Sequence, residues 1–186
     1  SENVKLLIFS NPCNPTSIVC PREEVRRLVR SVNALVVLDE AYMDFSSQSL
    51  LHEVMEYDNL VILRTCSKAF GMAALRLGFA VAQPKLAGVI RAAKSPYNVN
   101  ALSQKMGALA LGHGHAIKAA LEDILASRDQ LAAGLGRLAG LYPGRFTLLP
   151  SDTNFCTLDM EEKQAFYNYL AQAGIAVRLT GGLVRI

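Results

Sequence analysis

The residues best suited to chemistry lie in positions 63–79, LRTCSKAFGMAALRLGF. One lysine, Lys68, stands in a run of apolar and small residues, preceded by Thr65 and Ser67 and followed by Arg76. Among apolar neighbours an ammonium group is poorly solvated, which favours the free amine, a nucleophile. Two hydroxyls and a guanidinium fork are donors of the kind that hold a phosphate. A nucleophilic amine beside such a cradle points to pyridoxal phosphate carried on Lys68 as a Schiff base. Taken alone, the stretch also admits a plainer reading, in which Lys68 caps a surface turn and Arg76 is a solvated helix charge.

The elements around this stretch must bring other groups to it. Residues 4–9, VKLLIF, read as a strand covered on both faces, leading into the SNPCNPTS loop at 10–17, whose prolines and asparagines exclude helix. Pro21 opens an amphipathic helix with apolar residues at 25, 28, 29 and 32. The buried strand ALVVL, 34–38, delivers Asp39 to its carboxyl end, followed by Glu40, Ala41 and Tyr42. A carboxylate there is costly without a partner, so a cationic one is expected; the alternative is that Asp39 caps the next turn. A helix at 49–56 leads to a strand at 60–64, and 77–82 read as a fourth. Alternation of strand and helix predicts a parallel sheet with right-handed crossovers. The loops carrying Asn14, Asp39 and Lys68 then leave strand carboxyl ends on one edge, where open α/β sheets bind ligands.

Beyond residue 84 the pattern changes. A helix to about 93, an irregular SPYNVN segment at 95–100 and a long helical stretch broken at GHGH lead to residue 139. Strands at 146–149 and 154–158, a helix at 161–173 and strands at 175–179 and 183–186 describe a smaller α+β unit. The expected division is 1–100, part of a large domain, and 101–186, a connector helix and small domain. Arg178 and Arg185 fall on the last two strands, either binding an anionic substrate or partly exposed.

Composition narrows the class. A hydrophobic fraction of 51% with 19% charged residues describes a chain with a core, and a net charge of +3 gives no basis for nucleic-acid or anionic-membrane partners. No apolar run reaches the roughly 18 residues of a membrane span. Cys13, Cys20, Cys66 and Cys156 show no metal-finger spacing, and reduced thiols in a cytoplasmic protein are expected. The three histidines are scattered, and the His113–His115 pair reads as an exposed turn and not as a metal site. Both ends of the chain fall on strand patterns, which suggests part of a longer protein.

Three ordered motifs resemble the fold-type I pyridoxal-phosphate aminotransferases: NPCNPTS, LDEAY and TCSKAFGMAALRLGF. Within that family, LDEAYMDF, the RTxSKAFGxAxLRLG pattern and SPYNVN are most similar to the histidinol-phosphate aminotransferases. The resemblance spans essentially the whole chain. It implies the second half of a three-layer, parallel-sheet large domain plus the small α+β domain. It also implies that Lys68 carries the cofactor and moves a proton, while Asp39 pairs with the pyridinium nitrogen. Asn14 and Tyr42 would hydrogen-bond the ring oxygen, and Thr65, Ser67 and Arg76 would hold the phosphate. Arg178 and Arg185, with Asn14 nearby, would grip the anionic groups of an amino-acid phosphate or a 2-oxo acid. Ser17 departs from the family's glycine, which puts the loop's positive-φ geometry in doubt.

The implied reaction is amino transfer between histidinol phosphate and 2-oxoglutarate, in histidine biosynthesis, by a homodimer. The alternatives are a threonine-phosphate decarboxylase or another amino-acid aminotransferase on the same fold. An alternative of another class is a non-catalytic fragment that folds or dimerises without cofactor. The family's glycine-containing phosphate loop, stacking aromatic ring, partner-donated tyrosine and amino-terminal arm would belong to a preceding half, so this chain alone is expected to be weakly active or inactive.

Overall fold

The computed structural model describes residues 3–186. Its first half is a four-stranded sheet ordered β1-β2-β3-β4, from β1 Leu6–Ser10, β2 Leu35–Asp39, β3 Leu60–Thr65 and β4 Gly78–Ala82. Helix α1, Arg22–Ser31, follows Pro21 and turns Val25 and Val29, one helical turn apart, onto the sheet. There they pack with Val36, Leu38, Leu60 and Ile62, while Arg26 on the outer side pairs with Glu23 and Glu53. The expected helix at 49–56 forms as a single 3₁₀ stretch, Leu51–Glu56, placing Leu50 and Val54 in the same core.

Two expectations are corrected. Strands β1 to β3 are parallel, but β4 returns antiparallel to β3, pairing Thr65 with Gly78. The dozen or so residues between them hold only a 3₁₀ turn, Ala73–Leu75, and no crossover helix spans the sheet. The other correction concerns β1, which is covered on one face only. Leu7 and Phe9 face the core, whereas Leu6 and Ile8 are 49% and 62% exposed, because no described element packs on that side.

Helix α2, Pro84–Ala93, starts with proline at its first turn. Helix α3, Ala101–Gly112, is capped by Asn100, whose side chain accepts from Ser103 N–H at 2.9 Å. Ser103 Oγ donates to Leu75 O at 2.7 Å and Gly107 abuts the Leu77 side chain, docking α3 beside the lysine loop. The helical pattern breaks at His113, which is exposed, and resumes as α4, Gly114–Leu141. No helix among the described residues is long and apolar enough to cross a membrane.

The second sheet is antiparallel throughout and ordered β5-β6-β8-β7. Its strands are β5 Thr147–Leu148, β6 Thr157–Asp159, β7 Arg178–Thr180 and β8 Leu183–Arg185, with α5, Lys163–Gln172, between β6 and β7. Leu135 of α4 closes one side of its core against Cys156, Leu158 and Val184.

Candidate active site

The parallel arrangement of β1, β2 and β3 sends the chain out at one edge after Ser10, Asp39 and Thr65. In the first loop, Asn11 is buried and works locally: its Nδ2 donates to Cys20 O and its Oδ1 accepts from Cys20 N–H, at 3.1 and 2.6 Å. The peptide bonds before Pro12 and Pro15 are cis. Asn14 is left exposed, and its Oδ1 accepts from Arg185 Nη1 at 3.0 Å. Ser17 adopts the left-handed conformation, φ 63°, that its glycine-less position put in doubt.

At the end of β2, the two adjacent carboxylates take different surroundings. Asp39 is half-buried, and its Oδ1 accepts from Ala41 N–H at 2.9 Å, a turn-closing bond. No cationic side chain among the described residues pairs with it, and its second oxygen has no protein partner there. The ion pair sits one residue further on. Glu40 is fully buried and accepts from Ser49 Oγ at 2.6 Å, Leu50 N–H at 2.9 Å and Arg64 Nη1 at 3.1 Å. Arg64 also donates to Asp44 at 2.7 Å. Burial pushes both carboxyls above their ordinary values, with Arg64 pulling the other way. This network escaped the sequence reading; its signal was the arginine that interrupts the apolar run of β3.

Lys68 lies in the turn after β3 and is partly buried. Its Nζ stands 4.9 Å from the centroid of the buried Tyr42 ring, and no carboxylate among the described residues pairs with it. Ser67 N–H donates to Thr65 Oγ1 at 3.1 Å, and Arg76 Nη1 donates to Ala73 O at 3.0 Å while lying 3.5 Å from Ser67 Oγ. These three residues therefore gather around one turn.

The second sheet faces the lysine across a cleft of about 390 Å³, lined by Tyr42, Lys68, Asn154, Phe155, Arg178 and Arg185 among others. Arg178 and Arg185 are direct cross-strand partners on β7 and β8. Arg185 also lies over the Phe155 ring, at 4.6 Å from its centroid. Asp39, Thr65, Ser67 and Arg76 do not line this cleft, while Asn14 reaches it through Arg185. Asn154 and Phe155 were read as strand residues only, and nothing in their spacing marks them as part of a site.

The arrangement is that of an α/β protein whose lysine-bearing strand-end loop faces a pair of arginines from a second sheet. The chain belongs to the class I and II aminotransferase family, whose model matches residues 1–185. It is 38% identical over 177 residues to the histidinol-phosphate aminotransferase of Clostridium novyi (strain NT), covering 95% of this chain and 48% of that protein. The chain thus spans about half the length of the curated relatives it matches. Among solved structures, the histidinol-phosphate aminotransferase from Sinorhizobium meliloti, in complex with pyridoxal-5'-phosphate, superposes with a TM-score of 0.82 at 25% identity, over 97% of this chain and 52% of that one. The L-threonine-O-3-phosphate decarboxylase from Porphyromonas gingivalis reaches the same TM-score of 0.82 at 24% identity, over 98% of this chain and 58% of that one, a likeness of fold alone.

Proposed function

We propose that this chain supplies the cofactor lysine and the substrate arginines of a pyridoxal-phosphate-dependent aminotransferase that moves an amino group between histidinol phosphate and 2-oxoglutarate. The observation that carries the reading is the meeting of Lys68, Arg178 and Arg185 on one cleft. Like charges placed directly across an antiparallel pair repel, and an anion between them reverses the sign. A substrate bearing both carboxylate and phosphate fits two guanidinium groups.

The donor set fits the cofactor. Among the described residues one carboxylate oxygen of Asp39 has no partner and suits a protonated ring nitrogen, the Ser67–Arg76 turn suits a phosphate, and no carboxylate pairs with Lys68 Nζ. Asn14 Oδ1 is engaged by Arg185, which leaves its amide N–H to donate to a ring oxygen beside Tyr42. When bound, pyridoxal phosphate supplies an electron sink for charge developing at the substrate carbon. Lys68 holds the cofactor and, once displaced, takes and returns a proton at Nζ. Asp39 keeps the ring nitrogen charged, Thr65, Ser67 and Arg76 hold the phosphate, and Arg178 and Arg185 orient the substrate. Residues 1–100 act as the cofactor side and 101–186 as the connector and substrate side, in a cytoplasmic homodimer serving histidine biosynthesis.

The test is to mix the chain with pyridoxal phosphate, reduce with borohydride and map the adduct by peptide mass spectrometry. Label concentrated on Lys68 supports the reading; label spread over surface lysines sinks it for this chain. On the full-length protein, amino transfer from histidinol phosphate to 2-oxoglutarate is expected, and release of carbon dioxide from threonine phosphate would assign the decarboxylase outcome instead.

A further inference from the structure

The cleft alternates cations and rings. Lys68 Nζ lies 4.9 Å from the Tyr42 centroid. The Tyr42 and Phe155 rings meet edge to face, 5.4 Å apart at 84°. The Arg185 guanidinium lies 4.6 Å from the Phe155 centroid. Phe155 is itself buried and packs with Tyr42, Phe45 and Ala69. It therefore touches both the ring beneath the lysine and the arginine opposite.

A guanidinium lying on an aromatic face is held in plane by the ring quadrupole while its N–H edges stay free. For Arg185 one such edge is already used by Asn14 Oδ1 at 3.0 Å. Two restraints of different kinds thus fix the plane and the rotation of the group, and its remaining donors are left for an anion in the cleft that Arg185 lines. Long arginine side chains otherwise spend substantial rotamer entropy on becoming ordered. The edge-to-face contact with Tyr42 then ties this fixed plane to the lysine side of the cleft.

We propose that Phe155 is a positioning residue: it holds the Arg185 guanidinium at a set orientation and distance from Lys68, and so determines which spacing of anionic group and reacting carbon the cleft accepts. The inference rests on the reading of the cleft given above. A residue serving only the core would be replaced by leucine without consequence for Arg185; a positioning ring would not.

The test begins with the unaltered chain, where NMR should place the Arg185 side-chain Nε–H resonance clearly upfield of that of Arg178, through the Phe155 ring current. In Phe155→Leu the shift should vanish and phenylglyoxal modification of Arg185 should quicken several-fold relative to Arg178, while Phe155→Tyr should restore both. An unshifted Arg185 resonance in the unaltered chain overturns the proposal whether or not the leucine variant folds, and so does equal relative reactivity in all three proteins. Borohydride trapping of pyridoxal phosphate at Lys68 is scored separately. Failure of trapping with the ring-current signature intact rejects the cofactor reading and leaves the restraint on Arg185 standing; trapping without the signature does the reverse.

Discussion

Ser17 Oγ donates a 2.7 Å hydrogen bond to the carbonyl of Pro150, across the whole span between the first sheet and the second. Its own carbonyl accepts from Asp152 N–H at 2.8 Å, and Thr157 Oγ1 donates to Pro15 O at 2.7 Å. The loop that carries Asn14 is thus pinned to the chain leading into β6. Serine holds a left-handed backbone at a cost of roughly 1 kcal/mol, and its hydroxyl bond offsets a similar amount. Ser17→Ala keeps the strain and loses the bond, so it should destabilise by about 1–2 kcal/mol. Ser17→Gly loses the bond but relieves the strain, and should be the more stable of the two by about 1 kcal/mol. Urea midpoints decide this; a glycine variant no better than alanine would remove backbone strain from the explanation.

The buried pair of Glu40 and Arg64 predicts an unequal response to mutation. Arg64→Gln leaves a buried carboxylate without its cation and should cost about 3–5 kcal/mol near neutral pH. Because burial raises the folded-state pKa of Glu40, the folded chain binds its proton more readily than the unfolded chain does. Stability therefore falls as pH rises from the ordinary glutamate value to the raised one. Without Arg64 that window widens upward, so the deficit of Arg64→Gln should shrink as pH is lowered toward the ordinary carboxylate range. Urea unfolding across that range checks the slope, and a deficit independent of pH would mean that Glu40 is not the group left exposed to the loss.

Arg178 and Arg185, facing each other across β7 and β8, should make the chain respond to polyvalent anions. At low ionic strength, phosphate should raise the melting temperature of the unaltered chain. Arg178→Gln should relieve the repulsion, gaining roughly 0.2–0.5 kcal/mol after solvent screening, and lose most of the phosphate response. Equal phosphate responses in both proteins would place anion binding elsewhere.

Lys68→Ala should abolish the borohydride-fixed pyridoxyl adduct while leaving the far-ultraviolet circular dichroism spectrum unchanged, since the lysine side chain makes no hydrogen bond or ion pair among the described residues, and the bond from Gly71 N–H to its backbone carbonyl survives the substitution. Arg76→Ala should weaken pyridoxal phosphate retention by about tenfold, the worth of one charge-assisted bond at an exposed position. Unchanged retention would make Arg76 a structural residue that holds only the carbonyl of Ala73.

The strands and α1 were legible because short apolar runs ending in turn residues, and valines one helical turn apart, have few other uses. Strand direction was not legible, since periodicity carries no arrow; only the brevity of the link before β4 hinted at the reversal. Asp39 and Glu40 show a second limit. Adjacent residues on an extended strand point to opposite sides, so one of two neighbouring acids must be buried, but the sequence does not say which. Arg178 and Arg185 were both candidates, yet their direct pairing depends on the register set by the turn at Gly181 and Gly182. Phe155 gave no signal because it sits in an irregular stretch held by Ser151 Oγ, which donates to Phe155 O at 2.6 Å.

The return of β4 beside β3 also bears on how the site is assembled in time. Lys68 and Arg76 lie in one short loop whose ends are joined by the Thr65–Gly78 pairing and by Cys66 N–H to Leu77 O at 3.0 Å. Asn14 and Arg185 meet only after 171 residues of chain have been brought together. By loop-closure entropy the distant contact is dearer by about 2 kcal/mol than the local one. The lysine turn and the Arg178–Arg185 hairpin can therefore each form from its own neighbourhood, while their meeting, with Asn14 on Arg185, waits for long-range closure, so the cleft is completed at a later stage of folding than its two sides.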